Sequence, residues 1–230
     1  MKRKILILSD LHIPFQDDGA VRKAMEIGKR FNPDTVVLNG DVVDFGAISK
    51  FVKSPKERDL KKELDMTNKF LKMVRQKFPL AKLIYKSGNH EERLLVYLWT
   101  KAEAFADLPE LTLPSLLHFK ENRIEYSPKE NVLKFGDLSV IHGHEIKGTL
   151  STYPARTGYQ SAKTNVLFGH CHRESSYTTR DVNDKVYHSY STGCLSKLHA
   201  DFSPHNEWTH GIALIEVSGN GEFEVQLKSF

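Results

Sequence analysis

Carboxylates, one amide and several imidazoles recur at the ends of apolar runs in this 230-residue chain. They fall in five short segments: Asp10-Leu11-His12, Gly40-Asp41-Val42-Val43-Asp44, Gly88-Asn89-His90-Glu91, His142-Gly143-His144 and Gly169-His170-Cys171-His172. One such segment is weak evidence for anything. Together they supply the mixed oxygen and nitrogen donors that a two-metal centre needs. That mixture suits Mn, Fe, Zn or Ni, whereas sites for Ca or Mg alone are oxygen-rich. Asp10 and His12 stand two apart, so on an extended backbone they project to one side and can grip one ion, and the histidine pairs share that period. Gly40 lets the backbone turn sharply before Asp41, which leaves two carboxylate oxygens free to bridge two ions. Asp44 can orient a metal-bound histidine by accepting its second N–H. Equally, it can cap a helix over Phe45 to Phe51.

Rigid strands must present these groups. Ile5 to Leu8, Thr35 to Leu38 and Lys82 to Tyr85 read as strands, separated by amphipathic helices over Val21 to Arg30 and Glu57 to Phe78. In open α/β sheets ligands gather beyond the carboxyl ends of strands, and each of these three strands runs into one of the polar segments. Between Glu91 and Lys120, Pro109 and Pro114 divide an apolar stretch into one helix and a shorter second one. It is either a cap inserted at about 91–120 or the outer layer of the fold. From Arg123 the texture turns to β, with strands expected at Arg123 to Tyr126, Val132 to Phe135, Leu138 to Ile141, Val166 to Phe168, Ser175 to Arg180, Lys185 to Ser191, Gly211 to Val217 and Glu222 to Leu227. Asp181 to Asp184 and Ser218 to Gly221 mark hairpin turns.

The length fits a single domain over 1–230. Against 29 acidic residues stand 33 basic ones, for a net charge of +4; this permits an anionic substrate and is equally explained by ordinary solubility. Two cysteines, Cys171 and Cys194, are too few for a disulfide framework and indicate a reducing compartment. The basic start followed by Ile5 to Leu8 is too short for a secretory signal, and no later run approaches the roughly 20 apolar residues of a bilayer span. A cytoplasmic protein with no membrane partner is expected. Nothing in the pattern specifies an oligomeric state.

The order and spacing of the segments from Asp10 to His172 resemble the calcineurin-like metallophosphoesterase superfamily. The resemblance implies an α/β fold, a four-layer α/β/β/α sandwich of two mixed sheets flanked by helices. It also implies two divalent ions, Mn first and Fe, Zn or Ni otherwise, lying about 3.5 to 4 Å apart. By the same resemblance Asp10, His12, Asp41 and His172 hold one ion, and Asp41, Asn89, His142 and His170 hold the other. His90 is then no ligand but faces substrate with Asn89, stabilising developing charge or protonating the leaving oxygen. Glu91 anchors structure, and Cys171 points away from the ions and packs. The implied reaction is hydrolysis of a phosphate mono- or diester by a metal-bridging hydroxide.

Serine/threonine protein phosphatases of this superfamily place an arginine after the second segment's aspartate and another before Gly-Asn-His. Phe45 and Ser87 stand there instead. A nucleotide or a nucleic-acid end is therefore the better substrate, with a protein phosphatase as the alternative. A non-catalytic scaffold, like the retromer subunit that resembles these enzymes, is the other alternative, although such scaffolds lose ligands and none is missing here. Arg93 either reaches a phosphate or lies on a solvated helix face. His144 is a supporting or substrate contact. The segment 187–210, dense in His188, Tyr190, His199, Phe202, His205, Trp208 and His210, either stacks on a substrate ring or forms surface loops.

Overall fold

The computed structural model describes residues 2–51, 58–148, 152–199 and 205–230. Along the chain run β1 (Arg3–Leu8), α1 (Asp18–Phe31), β2 (Thr35–Asn39), α2 (Leu60–Lys77), β3 (Lys82–Lys86), α3 (Glu92–Lys101), α4 (Leu113–Leu116), β4 (Ile124–Ser127), β5 (Leu133–Phe135), β6 (Leu138–Val140), α5 (Pro154–Ala162), β7 (Val166–Phe168), β8 (Ser175–Arg180), β9 (Val186–Ser191), β10 (Gly211–Val217) and β11 (Phe223–Ser229).

Alternation along β1 decides the layering. Ile5 and Ile7 point into one apolar cluster, while Leu6 and Leu8 point into another. The same split recurs at Val37 against Val36 and Leu38, and at Ile84 against Leu83 and Tyr85. Both faces of this sheet are thus buried, which is why its strands read as unbroken apolar runs. Its six strands lie in the order β11-β10-β1-β2-β3-β4, with β1 to β4 mutually parallel and β10 antiparallel to both its neighbours, β1 and β11. A second sheet, ordered β5-β6-β7-β9-β8, stacks on it through Leu138, Val140 and Leu167. Val166 and Phe168 face outward from that sheet. Helices cover both outer faces, so the architecture is the expected four-layer sandwich.

Helix α1 starts where Asp17 accepts a hydrogen bond from the Ala20 N–H at 2.8 Å, and stops at Asn32 in the left-handed region. Helix α2 begins at Leu60 behind the Asp59 cap; Glu57, where the sequence places its start, lies outside the described residues. Within 91–120, Leu94, Leu98, Leu113, Leu117 and Phe119 join the cluster that contains Leu83 and Tyr85. That segment packs on the outer face of the first sheet, and its leading turn carries Glu92 and Arg93 toward the strand ends.

Helix α5 was not expected from the sequence. Its buried residues are Pro154, Ala155 and Gly158, too small to make an apolar stripe, and a Cβ on Gly158 would collide with the Phe168 ring. A second correction concerns the expected helix over Phe45 to Phe51. Only a single 3-10 turn, Gly46–Ile48, forms there, capped by no side chain. Among the described residues no helix is long and apolar enough to cross a membrane.

Candidate metal centre

All five polar segments lie just beyond the carboxyl ends of strands: β1, β2 and β3 in one sheet, β6 and β7 in the other. Both sets are parallel, so the ends gather at one rim of the sandwich. The local backbone is not extended, which corrects the reasoning from period two. Asp10, His12, Asp41, His170 and His172 have φ of 56, 50, 50, 65 and 58°. Left-handed backbone at a non-glycine residue costs roughly 1–2 kcal/mol, and such strain concentrates at functional sites. Bonds between the loops offset part of the cost: His12 N–H donates to the Asp41 carbonyl at 2.9 Å, and His170 N–H donates to Asp10 Oδ2 at 2.9 Å.

Glycines make room for this crowding. A Cβ on Gly40 would lie 2.7 Å from His142 Cγ, and one on Gly88 would lie 2.6 Å from the Asp41 nitrogen. On Gly169 it would lie 3.0 Å from Ser9 Cβ.

The side chains converge in overlapping groups: two hold the expected ligands, and a third, His12, Asp41 and His90, links them. Asp10, His12 and His172 form one; His12 Nε2 is 3.0 Å from His172 Nε2, which is 3.3 Å from Asp10 Oδ1. Asp41, His142 and His170 form the other. Asp41 Oδ2 is 3.3 Å from His142 Nε2 and 3.8 Å from the Nε2 atoms of both His12 and His90. One carboxylate oxygen therefore stands between the two groups. The Gly-His-Cys-His segment divides its histidines between them, because the left-handed turns at His170 and His172 aim the rings apart.

Neighbouring groups fix the rings. His142 Nδ1–H donates to the Asn39 carbonyl at 2.7 Å, which leaves its Nε2 lone pair facing the centre. Asp44 lies 3.3 Å from His12 Nδ1 and 3.0 Å from His90 Nδ1, so it orients both imidazoles and caps no helix. Glu91 accepts from the N–H groups of Asp41, Val42 and Gly88 at 2.9, 2.9 and 2.8 Å and from the Tyr85 hydroxyl at 2.7 Å. Burial and Asp41 push the Glu91 carboxyl upward. The three N–H groups nevertheless point their protons at its oxygens, so the carboxylate is ionised to accept these bonds. Cys171 Sγ lies 2.8 Å from Ser191 Oγ.

Charge inside the cluster is strongly coupled. Burial pulls His142 down, but Asp41 and Asp10 outweigh it and push the ring up to about 10. His172 behaves alike, raised to about 10 chiefly by Asp10. Burial and the positive potential of His142 take His170 down to about 4. Although burial opposes it, His172 holds Asp10 at about 2. Divalent ions compete with protons for these same lone pairs.

The donors fit such ions. Asn89 Oδ1 is a buried atom with no hydrogen-bond partner, a costly arrangement unless something else engages it. Oxygen and imidazole donors mixed in each group are a transition-metal set.

His90 and Arg93 adjoin the centre at its open side. Arg93 donates to the Asp44 carbonyl and to His90 Nε2, each at 2.8 Å, so it faces the site and does not lie on a solvated helix face. Asp41 and Asp44 favour a protonated His90 against the pull of burial and Arg93. A guanidinium can only donate, however, so while Arg93 is in contact the ring is neutral with its proton on Nδ1. His144 turns to Glu92 at 3.2 Å and Glu145 at 3.4 Å. Of the dense 187–210 segment, Trp208 packs edge-on against His172 with ring centres 4.3 Å apart. His188 instead bonds Thr178, and His210 bonds the Ser196 carbonyl. Phe202 lies outside the described residues. Lys86, Glu92 and Glu145 escaped the sequence reading, since a lysine ending an apolar strand and glutamates flanking motifs carry no pattern of their own.

Residues 3–205 match the family of calcineurin-like phosphoesterases. The chain belongs to that family. This dinuclear, metal-dependent phosphoesterase family accounts for the paired His and Asp groups. The Gene 54 protein of Mycobacterium phage L5 is 28% identical over 233 residues, covering 95% of this chain and 91% of its own length. Among solved structures, YfcE, a phosphoesterase from E. coli, aligns at 14% identity and TM-score 0.46 over 98% of both chains. Chaetomium thermophilum Vps29 aligns at 10% identity and TM-score 0.48 over 99% of this chain and 98% of its own. Structural likenesses this distant carry no argument about what the chain does.

Proposed function

We propose that this calcineurin-like phosphoesterase hydrolyses a phosphate mono- or diester, a nucleotide or a nucleic-acid end, with two divalent ions, Mn before Fe, Zn or Ni. The observation that carries the reading is Asp41 Oδ2, one buried oxygen within 3.8 Å of imidazoles from three different loops. Asp10, His12, Asp41 and His172 would hold one ion, and Asp41, Asn89, His142 and His170 the other. Ions held there supply charge that neutralises phosphoryl oxygens and acidifies water.

The chain's own groups do the rest. Arg93, its side chain 19% exposed, turns from the Asp44 carbonyl toward a phosphoryl oxygen and binds substrate. Its departure frees His90 Nε2, which Asp41 and Asp44 then favour in protonated form, and Nε2–H is given to the departing alcohol oxygen. Asp44 keeps the ring in place through Nδ1. Phe45 is fully buried in the core and Ser87 is buried, so neither offers the guanidinium grip of a protein phosphatase; this supports a small substrate. The scaffold reading gains nothing from a buried cluster of charges that such a role does not need.

Bis-p-nitrophenyl phosphate and p-nitrophenyl phosphate, assayed after chelation and again with added Mn or Ni, test the reading. Turnover restored by metal is expected. Turnover that survives chelation, or none with any metal, contradicts it. His90→Ala is expected to retain both ions and to slow hydrolysis about 100- to 10,000-fold. A His90→Ala variant that turns over at the wild-type rate would remove His90 from the chemistry.

A further inference from the structure

We infer that Lys86 is a positioning residue for the metal centre, acting through Glu145 on the loop that carries His142 and His144; the inference rests on the two-ion reading. Lys86 ends β3, two residues before Gly88, and its side chain is fully buried. The ammonium lies 3.1 Å from Glu145 Oε1 and donates to the Pro128 and Lys129 carbonyls at 3.2 and 2.8 Å. The other oxygen of Glu145 accepts the Gly143 N–H at 2.7 Å and lies 3.4 Å from His144 Nδ1. Contacts thus run unbroken from the strand that delivers Asn89 to the turn between His142 and His144.

Stability is a poor explanation for this pair. Burying an ammonium costs several kcal/mol, and a buried ion pair is commonly no better than apolar side chains of like volume. The three residues before it in β3, Leu83, Ile84 and Tyr85, are already apolar or aromatic and buried. What an apolar residue cannot do is pin Glu145 Oε1 and so aim Oε2 at Gly143. That turn has little freedom to adjust: Gly143 has φ 131°, and a Cβ there would lie 2.9 Å from His170 Cβ. Without Lys86, Glu145 is free to swing to His144 or to water. Gly143 then loses its acceptor, and the turn that carries His142 loses its tie to β3.

The effect is selective. The two ends of the chain of contacts, Lys86 and Gly143, lie three residues before Asn89 and next to His142, which belong to the ligand set completed by Asp41 and His170. Asp10, His12 and His172 stand apart from it. Groups that orient metal ligands typically change metal affinity by about 10- to 100-fold.

Calorimetric titration of the chelated full chain with Mn, for wild type, Lys86→Met and Glu145→Gln, tests this, with thermal unfolding of each variant as the fold control. Wild type is expected to take up two ions. Both variants are expected to bind one ion within about twofold of wild type and the other about 10- to 100-fold more weakly. Should Lys86→Met not fold, Glu145→Gln carries the comparison, because its carboxylate is partly exposed. Two ions bound at wild-type affinity, or both weakened equally, overturns the role of Lys86. A wild-type chain that takes up fewer than two ions contradicts the two-ion reading itself.

Discussion

Asp41→Asn is expected to lower turnover by roughly a thousandfold or more, equivalent to about 4 kcal/mol of transition-state stabilisation. The substitution preserves shape and an acceptor for the His90 N–H, which Asp41 Oδ1 engages at 2.9 Å. What it removes is the anion at Oδ2, the atom that faces His12, His90 and His142. An amide offers that position one neutral oxygen or two N–H donors, and neither bridges two cations as a carboxylate does. Metal content should fall together with kcat. Steady-state assay with bis-p-nitrophenyl phosphate in saturating Mn reads the first, and emission spectroscopy of the purified variant reads the second. An Asp41→Asn variant that keeps its activity would refute the bridging assignment outright.

The largest expected effect on stability is at Glu91, which touches no candidate ligand side chain. Its two oxygens collect the N–H groups of Asp41, Val42 and Gly88 with the Tyr85 hydroxyl, and the residue is 3% exposed. The second and third motif loops are therefore held to one another through a single carboxylate. Glu91→Gln keeps the volume but turns an –NH2 toward backbone N–H groups that can only donate. Buried donors left without acceptors cost about 1–3 kcal/mol each, so a loss of about 3 kcal/mol or more follows. At this chain length that is a fall in Tm of about 6–12 °C. Thermal unfolding by circular dichroism measures it. A variant within about 2 °C of wild type would show that the loops hold their conformation without this carboxylate.

Much of the molecule could be read from residue types. Ile5, Ile7, Leu6 and Leu8 give a strand buried on both faces. Glycine turns such as Ser218 to Gly221 give hairpins. The ligand types announce themselves because carboxylate, amide and imidazole rarely recur so regularly at strand ends. Backbone conformation at the ligands was not legible. Asp10 and His12 share a side through left-handed turns, not through strand period, and five of the seven candidate ligands adopt φ between 50 and 65°. No propensity scale anticipates that, because tertiary hydrogen bonds such as His12 N–H to the Asp41 carbonyl impose it.

Asp44 shows the same limit from another direction. Aspartate before a short apolar stretch is a sound helix cap, yet His12 and His90 claim its carboxylate because the fold brings their Nδ1 atoms within 3.3 and 3.0 Å. Helix α5 stayed hidden because it packs through Ala155 and Gly158, where closeness and not apolar area is what counts. Lys86 stayed hidden because its partner, Glu145, lies 59 residues further along the chain.

The central claim is a pair of ions sharing Asp41, and anomalous diffraction from crystals grown with Mn addresses it directly. Two peaks about 3.5–4 Å apart are expected, both adjoining the Asp41 carboxylate, one beside Asp10, His12 and His172 and the other beside Asn89, His142 and His170. A single peak, or two that do not share Asp41, would contradict the claim.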